Sequence, residues 1–271
     1  CLAGLQAGVD PETVFNCSGV YYPAPGANAM PCHNRFGHGP LNMTEAIERS
    51  CNLYMWKLAE EIGYDPIYKL LDNLGLGEET GIETDFEVGG ILPTDSWKKV
   101  RYNDRLRKGD IANLVIGQGF LNVTVLQMAN MTAALANGGR LHTPTLLKGF
   151  RNSEETPFTR SDPRKPARNL QWSPRQLETI RLGMKDVVMS PRGTARTAQV
   201  EGLVYAGKTG TAQYGSRDNR RYRSWMIAFA PYDNPRIAAV VLIDSGLGSG
   251  VDAAPRMQLL MKALFGRPDH G

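Results

Sequence analysis

Two short stretches concentrate the residue types that do chemistry. Lys208-Thr209-Gly210-Thr211 sets a cation, two hydroxyls and a residue without a side chain in four consecutive positions. That set suits recognition of an acyl-peptide ending in a carboxylate. On a strand, alternation puts Lys208 and Gly210 on one face and Thr209 and Thr211 on the other. The glycine lets a substrate backbone lie close, as in β-strand addition. The lysine supplies positive potential, and backbone N–H groups here are candidates for an oxyanion hole. The second stretch is Ser50-Cys51-Asn52. On a regular helix residues i and i+2 lie about 200° apart, so Ser50 and Asn52 converge on one cleft only from a loop between two helices. There Asn52 can hold an amide and Ser50 can pass a proton. Each motif also has an ordinary reading, as a turn and as a capped helix junction.

The surrounding periodicity predicts alternating helices and a late sheet. Leu2, Leu5 and Ala7 before Gly8 read as the last turns of an amphipathic helix with a glycine cap. That pattern predicts a fragment of a longer polypeptide, truncated at its N-terminal side. Thr44 is the expected cap of a helix over 45–61, interrupted at 50–52. Asp65-Pro66 opens another helix, ended by Gly75 or Gly77. Residues 78–112, glycines and Pro93 among polar residues, read as loops with short strands. Thr124 caps a helix to Ala136, and 151–169 read as an exposed connection. Ser173-Pro174-Arg175-Gln176 combines a capping box with a first-turn proline and starts a helix to about 188. Strand-like runs follow at 202–211, 222–230 and 237–243, and a helix over 253–265 closes the chain. Short loops between successive strands make the sheet antiparallel. The fold class is α/β of the α+β type, an antiparallel sheet flanked by helices, with 1–271 as one unit.

Composition narrows the function classes. With 42% hydrophobic and 21% charged residues over 271 positions, the chain is neither largely disordered nor fibrous. Lys+Arg 31 minus Asp+Glu 27 leaves +4, without one long basic run, so nucleic acid is not an expected partner. The longest apolar run, 237–243, falls far short of the roughly twenty residues of a membrane span. Cysteines stand at 1, 17, 32 and 51 and histidines at 33, 38, 142 and 270, and they complete no zinc spacing, so neither metal nor cofactor is expected. Turn formers between Cys17 and Cys32 let the chain fold back, which makes these two a disulfide candidate and points to an oxidising compartment.

Taken in order, the motifs resemble the penicillin-binding transpeptidase and serine β-lactamase group, whose signatures are S-x-x-K, S-x-N and K-T-G. Longer stretches narrow this to class B penicillin-binding proteins of the elongation type. They are FNCSG at 15–19, CH at 32–33 with GHG at 37–39, AIERSCNLY at 46–54 and TGI at 80–82. IGQGFLNVT at 116–124, ANGG at 136–139, GTA at 193–195, GKTGTAQ at 207–213 and SWMIAFAP at 224–231 continue the series. The resemblance spans nearly the whole chain and implies a peptidoglycan D,D-transpeptidase domain that is acylated by β-lactams. Ser50 would belong to the proton relay, Asn52 would bind the donor peptide carbonyl, and Lys208 would orient Ser50. Thr209 and Thr211 would bind the terminal carboxylate, the Thr211 N–H would form half of the oxyanion hole, and Gly210, Ala212 and Gln213 would lie along the bound peptide. Implied partners are peptidoglycan stem peptides, β-lactams and cell-wall elongation proteins. The location implied is the periplasmic or extracellular face of the inner membrane, with an N-terminal anchor on the parent.

The departure from the family is its nucleophile. S-x-x-K belongs before S-x-N, at the front of the helix ending at residue 8. The S-x-x-K in this chain, Ser96-Trp97-Lys98-Lys99, follows S-x-N and sits in what reads as a solvent-facing loop, whereas a nucleophile needs a rigid helix and a lysine with a lowered pKa. Ser96 is therefore set aside, and this chain alone is expected to be inactive. The strands that precede the nucleophile helix are also absent, leaving an apolar edge at 237–243. Two other readings remain open, a class D β-lactamase-like hydrolase or sensor and a non-catalytic scaffold. His38 reads as a turn histidine, and Arg217, Arg220, Arg221 and Arg223 as a hairpin tip or an attractor for anionic stems.

Overall fold

The computed structural model describes residues 1–154, 156–157, 159–160, 168–216, 219–244 and 246–266. Much of the 151–169 connection, Arg217 and His270 lie outside the described residues. The N-terminal part places four short strands among helices: α1 (Leu2–Gln6), β1 (Phe15–Cys17), β2 (Val20–Tyr21), β3 (Met30–Pro31) and β4 (Gly39–Leu41). Helices α2 (Met43–Glu48), α3 (Asn52–Ile62), α4 (Tyr64–Asn73), α5 (Asp95–Tyr102), α6 (Lys108–Leu114) and α7 (Val125–Ala136) follow. Then come the two-residue strands β5 (Arg140–Leu141), β6 (Gly149–Phe150), β7 (Thr159–Arg160) and β8 (Arg168–Asn169), and the long helix α8 (Pro174–Met189). The main sheet, β9 (Ala206–Ser216), β10 (Asn219–Ala230) and β11 (Ile237–Ile243), is antiparallel in the order β11-β10-β9. Helix α9 (Ala253–Phe265) ends the described chain.

Caps define most helix starts. Ser173 and Thr124 form capping boxes with Gln176 and Gln127, at the predicted positions. The cap of α2 is Asn42, not Thr44: its side chain accepts from the Glu45 N–H at 3.0 Å while Glu45 accepts from the Asn42 N–H at 3.1 Å. Residues 78–112 hold two helices that the glycine- and proline-rich reading missed. Thr94 caps α5 and Asn103 ends it in the left-handed region. The reason is tertiary. The buried Lys98 ammonium bonds Asp110 at 2.6 Å and Asp104 at 3.1 Å, tying α5 to α6 where local propensity is weak. Ser96 and Lys99 remain exposed on α5.

The core runs from Trp56 and Tyr54 on α3, through Met43 and Ala46 on α2, to Val187 and Val188 on α8 and Met226 to Ala230 on β10. Helix α8 packs on β9 and α2, while α7 and α9 both reach β10 and β11. Strand β9 begins at Ala206, later than the predicted 202, because Leu203 N–H turns back to the Val200 carbonyl at 3.2 Å. All seven residues of β11 are partly exposed, and this strand forms one edge of the sheet. No helix among the described residues is long and apolar enough to cross a membrane.

Candidate active site

Ser50 stands where α2 turns into α3. The Cys51 N–H donates to the Ala46 carbonyl at 2.9 Å and the Ser50 N–H to the Ile47 carbonyl at 3.2 Å. That pair of bonds is the Schellman ending of a helix, and its left-handed position ordinarily holds glycine. Here the residue is Ser50, with φ 55°. A non-glycine residue in that region costs about 1 kcal/mol or more, and the strain turns the hydroxyl out of the helical path. Cys51 then caps α3, its sulfur accepting from the Tyr54 N–H at 3.4 Å, so Asn52 opens that helix. The half-buried carboxamide of Asn52 makes no hydrogen bond among the described residues.

Lys208 comes from β9, 158 positions away, and its Nζ donates to Ser50 Oγ and, at 2.9 Å, to the Thr209 carbonyl. Burial lowers its pKa from 10.5 to about 8, because a buried ammonium loses its hydration and no carboxylate among the described residues replaces it. An amine so poised can take or give a proton near neutral pH. Thr209 turns into the protein, its hydroxyl 2.7 Å from that of Thr194. Gly193 makes that approach possible: a Cβ there would lie 2.3 Å from the Val187 carbonyl oxygen. Thr211 is exposed; its hydroxyl lies 3.1 Å from Ser249 Oγ and accepts from the Ser249 N–H at 3.2 Å. Gln118 Nε2 donates to the Thr211 carbonyl at 2.8 Å, and the Gln213 N–H donates to Gln118 Oε1 at 3.2 Å. Gly210, Thr211 and Ala212 border an apolar cavity of about 790 Å³, which extends past Trp225, Leu242 and Met128 to Ala3 and Leu58. The Lys208 to Ser50 bond joins the two motifs, while Gly210, Thr211 and Ala212, and not Ser50, Asn52 or Lys208, line the cavity.

The cysteines require a correction. Cys17 and Cys32 are both free thiols, so the disulfide is not formed. They lie with Cys51 and His38 in a group whose donor atoms are all within 4.8 Å of one another. His38 Nδ1 is 3.5 Å from Cys17 Sγ and 3.7 Å from Cys32 Sγ. Zinc bonds of about 2.3 Å to sulfur and about 2.05 Å to nitrogen, at tetrahedral angles, put S and N about 3.6 Å apart. These four residues therefore could hold a zinc ion, contrary to the expectation from spacing. The hydrogen bond from Cys51 holds the Cys32 thiol well below its usual pKa and pushes that of Cys51 up. Burial lowers His38 and favours the neutral, ligating imidazole. The ligands come from β1, the residue after β3, the loop before β4 and the α2–α3 junction, so no local spacing reveals them. Gly37, at φ 83°, permits the contact, since a Cβ there would meet the Cys17 carbonyl oxygen at 2.2 Å. Cys51, the middle residue of Ser-x-Asn, joins this group to the candidate active site.

The family model described as penicillin binding protein transpeptidase domain matches residues 1–262. The chain belongs to the penicillin-binding protein transpeptidase family. Within that family it is 32% identical over 242 residues to a peptidoglycan D,D-transpeptidase MrdA of Haemophilus influenzae, covering 83% of this chain and 36% of that protein. The structure of Pseudomonas aeruginosa PBP2 in complex with WCK 5153 superimposes with a TM-score of 0.86 at 32% identity, over 100% of this chain and 59% of that one. Helicobacter pylori PBP2, solved in a complex with MreC, gives 0.77 at 29% identity, over 98% and 48%. The chain spans well under half of the length of the curated relatives it matches. The elongation-type resemblance and the antiparallel, helix-flanked fold agree with these relatives.

Proposed function

We propose that this chain is part of an elongation-type peptidoglycan D,D-transpeptidase that crosslinks stem peptides by serine acyl transfer and is acylated by β-lactams. The observation that carries the reading is the Lys208 to Ser50 hydrogen bond, which joins the K-T-G and S-x-N motifs across the chain. The nucleophilic serine and its lysine are assigned to polypeptide preceding Cys1, entering the apolar cavity that borders both α1 and β9. The serine oxygen attacks the carbonyl of the penultimate D-alanine, an ester forms, and D-alanine leaves with the serine proton. The amine of a neighbouring stem then attacks the ester, making the crosslink amide and returning the proton to the serine. Ser50 and Lys208 relay these protons. Asn52 holds the donor peptide carbonyl, the exposed hydroxyl of Thr211 faces its carboxylate while Thr209, turned inward onto Thr194, supports the strand from behind, and the Thr211 N–H stabilises the oxyanion. The bound peptide runs along Gly210, Ala212 and Gln213.

The same reading places the domain on the outer face of the plasma membrane, anchored through its parent, beside cell-wall elongation proteins. The H. pylori PBP2 complex with MreC supports such partners. Labelling with a fluorescent penicillin tests the reading. The polypeptide extended N-terminally through its Ser-x-x-Lys should form one covalent adduct per chain, Lys208→Ala should slow labelling by about a hundredfold or more, and residues 1–271 alone should not label. Stoichiometric labelling of the isolated chain, or none of the extended one, would contradict the assignment.

A further inference from the structure

The free edge of β9 is where the proposed function lays the donor peptide, and the following inference rests on that reading. Backbone groups alternate between the two edges of a strand. β9 pairs with β10 along one edge; on the other, Thr211 and Gln213 present a carbonyl and an N–H. One side chain already serves both. The carboxamide of Gln118 donates to the Thr211 carbonyl at 2.8 Å and accepts from the Gln213 N–H at 3.2 Å. It reproduces, in a single group, the donor and acceptor that an added strand would bring.

The placement is built by the loop after α6. Gly117 N–H donates to the Leu114 carbonyl at 2.9 Å and Gln118 N–H to the Asn113 carbonyl at 2.9 Å, holding the loop to the helix end. Gly117 and Gly119 both have positive φ, 73° and 74°, a backbone course that turns Gln118 between them toward β9. A paired strand must lie about 4.8 Å from β9 in the plane of the sheet. The Gln118 carboxamide occupies that plane, and the single Gln213 N–H cannot serve it and a peptide at once. Peptide and carboxamide therefore exclude each other.

We propose that Gln118 is an internal placeholder for the acyl-donor peptide, keeping the open edge of β9 paired until substrate displaces it. The device also selects ligands. A ligand with an amide at the matching position replaces both bonds, whereas one without it leaves the Thr211 carbonyl and Gln213 N–H unpaired.

The test measures the second-order rate constant of acylation by a fluorescent penicillin, using the N-terminally extended protein. Gln118→Ala should raise it roughly threefold to tenfold, the worth of about one net hydrogen bond removed from the competing state. The gain should fall in the half-saturating penicillin concentration, not in the limiting rate of acylation. Gln118→Glu should accelerate similarly, because a carboxylate cannot donate to the Thr211 carbonyl and repels it. Thermal midpoints within a few degrees of the parent show that both variants are folded. Folded variants acylated at the parental rate or slower would overturn the placeholder while leaving the transpeptidase reading intact. A parent that takes no label would overturn both.

Discussion

At the scale of single residues, Lys208 and Ser50 carry the strongest physical argument. Ser50 holds a left-handed backbone position where glycine would fit without strain, and Lys208 holds a buried ammonium with no carboxylate partner among the described residues. Both are unfavourable for folding, and both are accounted for if the two residues form the proposed proton path. The lysine has a thermodynamic consequence. Its usual pKa of 10.5 falls to about 8 in the folded protein, so between those pH values the unfolded chain binds more protons than the native one. Stability from this group must then rise as pH climbs from about 8 towards 10.5. Denaturant titrations should show Lys208→Met without that contribution, the difference reaching on the order of 2 kcal/mol after allowance for solvent screening. Equal pH slopes for the two proteins would place the lysine charge in water.

At the scale of elements, the α2–α3 junction holds the most chemistry in the fewest residues. Ser50 faces Lys208, Cys51 belongs to the cysteine and histidine group, and Asn52 opens α3. A metal bound by Cys17, Cys32, His38 and Cys51 would fasten β1, the residue after β3 and the loop before β4 to this junction, and so fix Ser50 indirectly. Protein purified without chelator is expected to contain one zinc per chain by elemental analysis. Chelation or Cys32→Ser should lower the thermal midpoint on the order of 5–10 °C, and absence of zinc with an unchanged midpoint would count against the site. The same element shows how far the sequence can be read. The break at 50–52 is legible because Ser and Asn two apart cannot share a helix face. The metal group is not, because its four members are separated by spacings of no local period and meet only after the strands pair. Helices α5 and α6 stayed illegible for a related reason, since Lys98 is buried only once Asp104 and Asp110 fold back upon it.

At the scale of the whole molecule, the sheet leaves an apolar edge and the cavity an apolar opening. Strand β11 is apolar yet partly exposed throughout, an edge that natural sheets normally cover. The apolar cavity opens beside the K-T-G strand. If the proposed N-terminal segment fills that cavity and extends the sheet, hydrogen exchange should report it. Amides of β11 that do not bond to β10 should exchange rapidly in residues 1–271 and become protected by about a hundredfold or more in the extended protein. Equal exchange in both would leave β11 a true edge.

Local and periodic features are readable from the chain without its fold: the late antiparallel strands, the capped helices α7 and α8, the break between α2 and α3, and the ordered motifs that mark the family. These follow from capping chemistry and side-chain alternation, which act over a few residues. Tertiary structure alone decided that Lys208 reaches Ser50, that Gln118 lies on the free edge of β9, and that Cys17 and Cys32 join His38 and Cys51 instead of each other. Contacts between residues tens to more than a hundred positions apart depend on which surfaces pack first and best. No spacing along the chain encodes that.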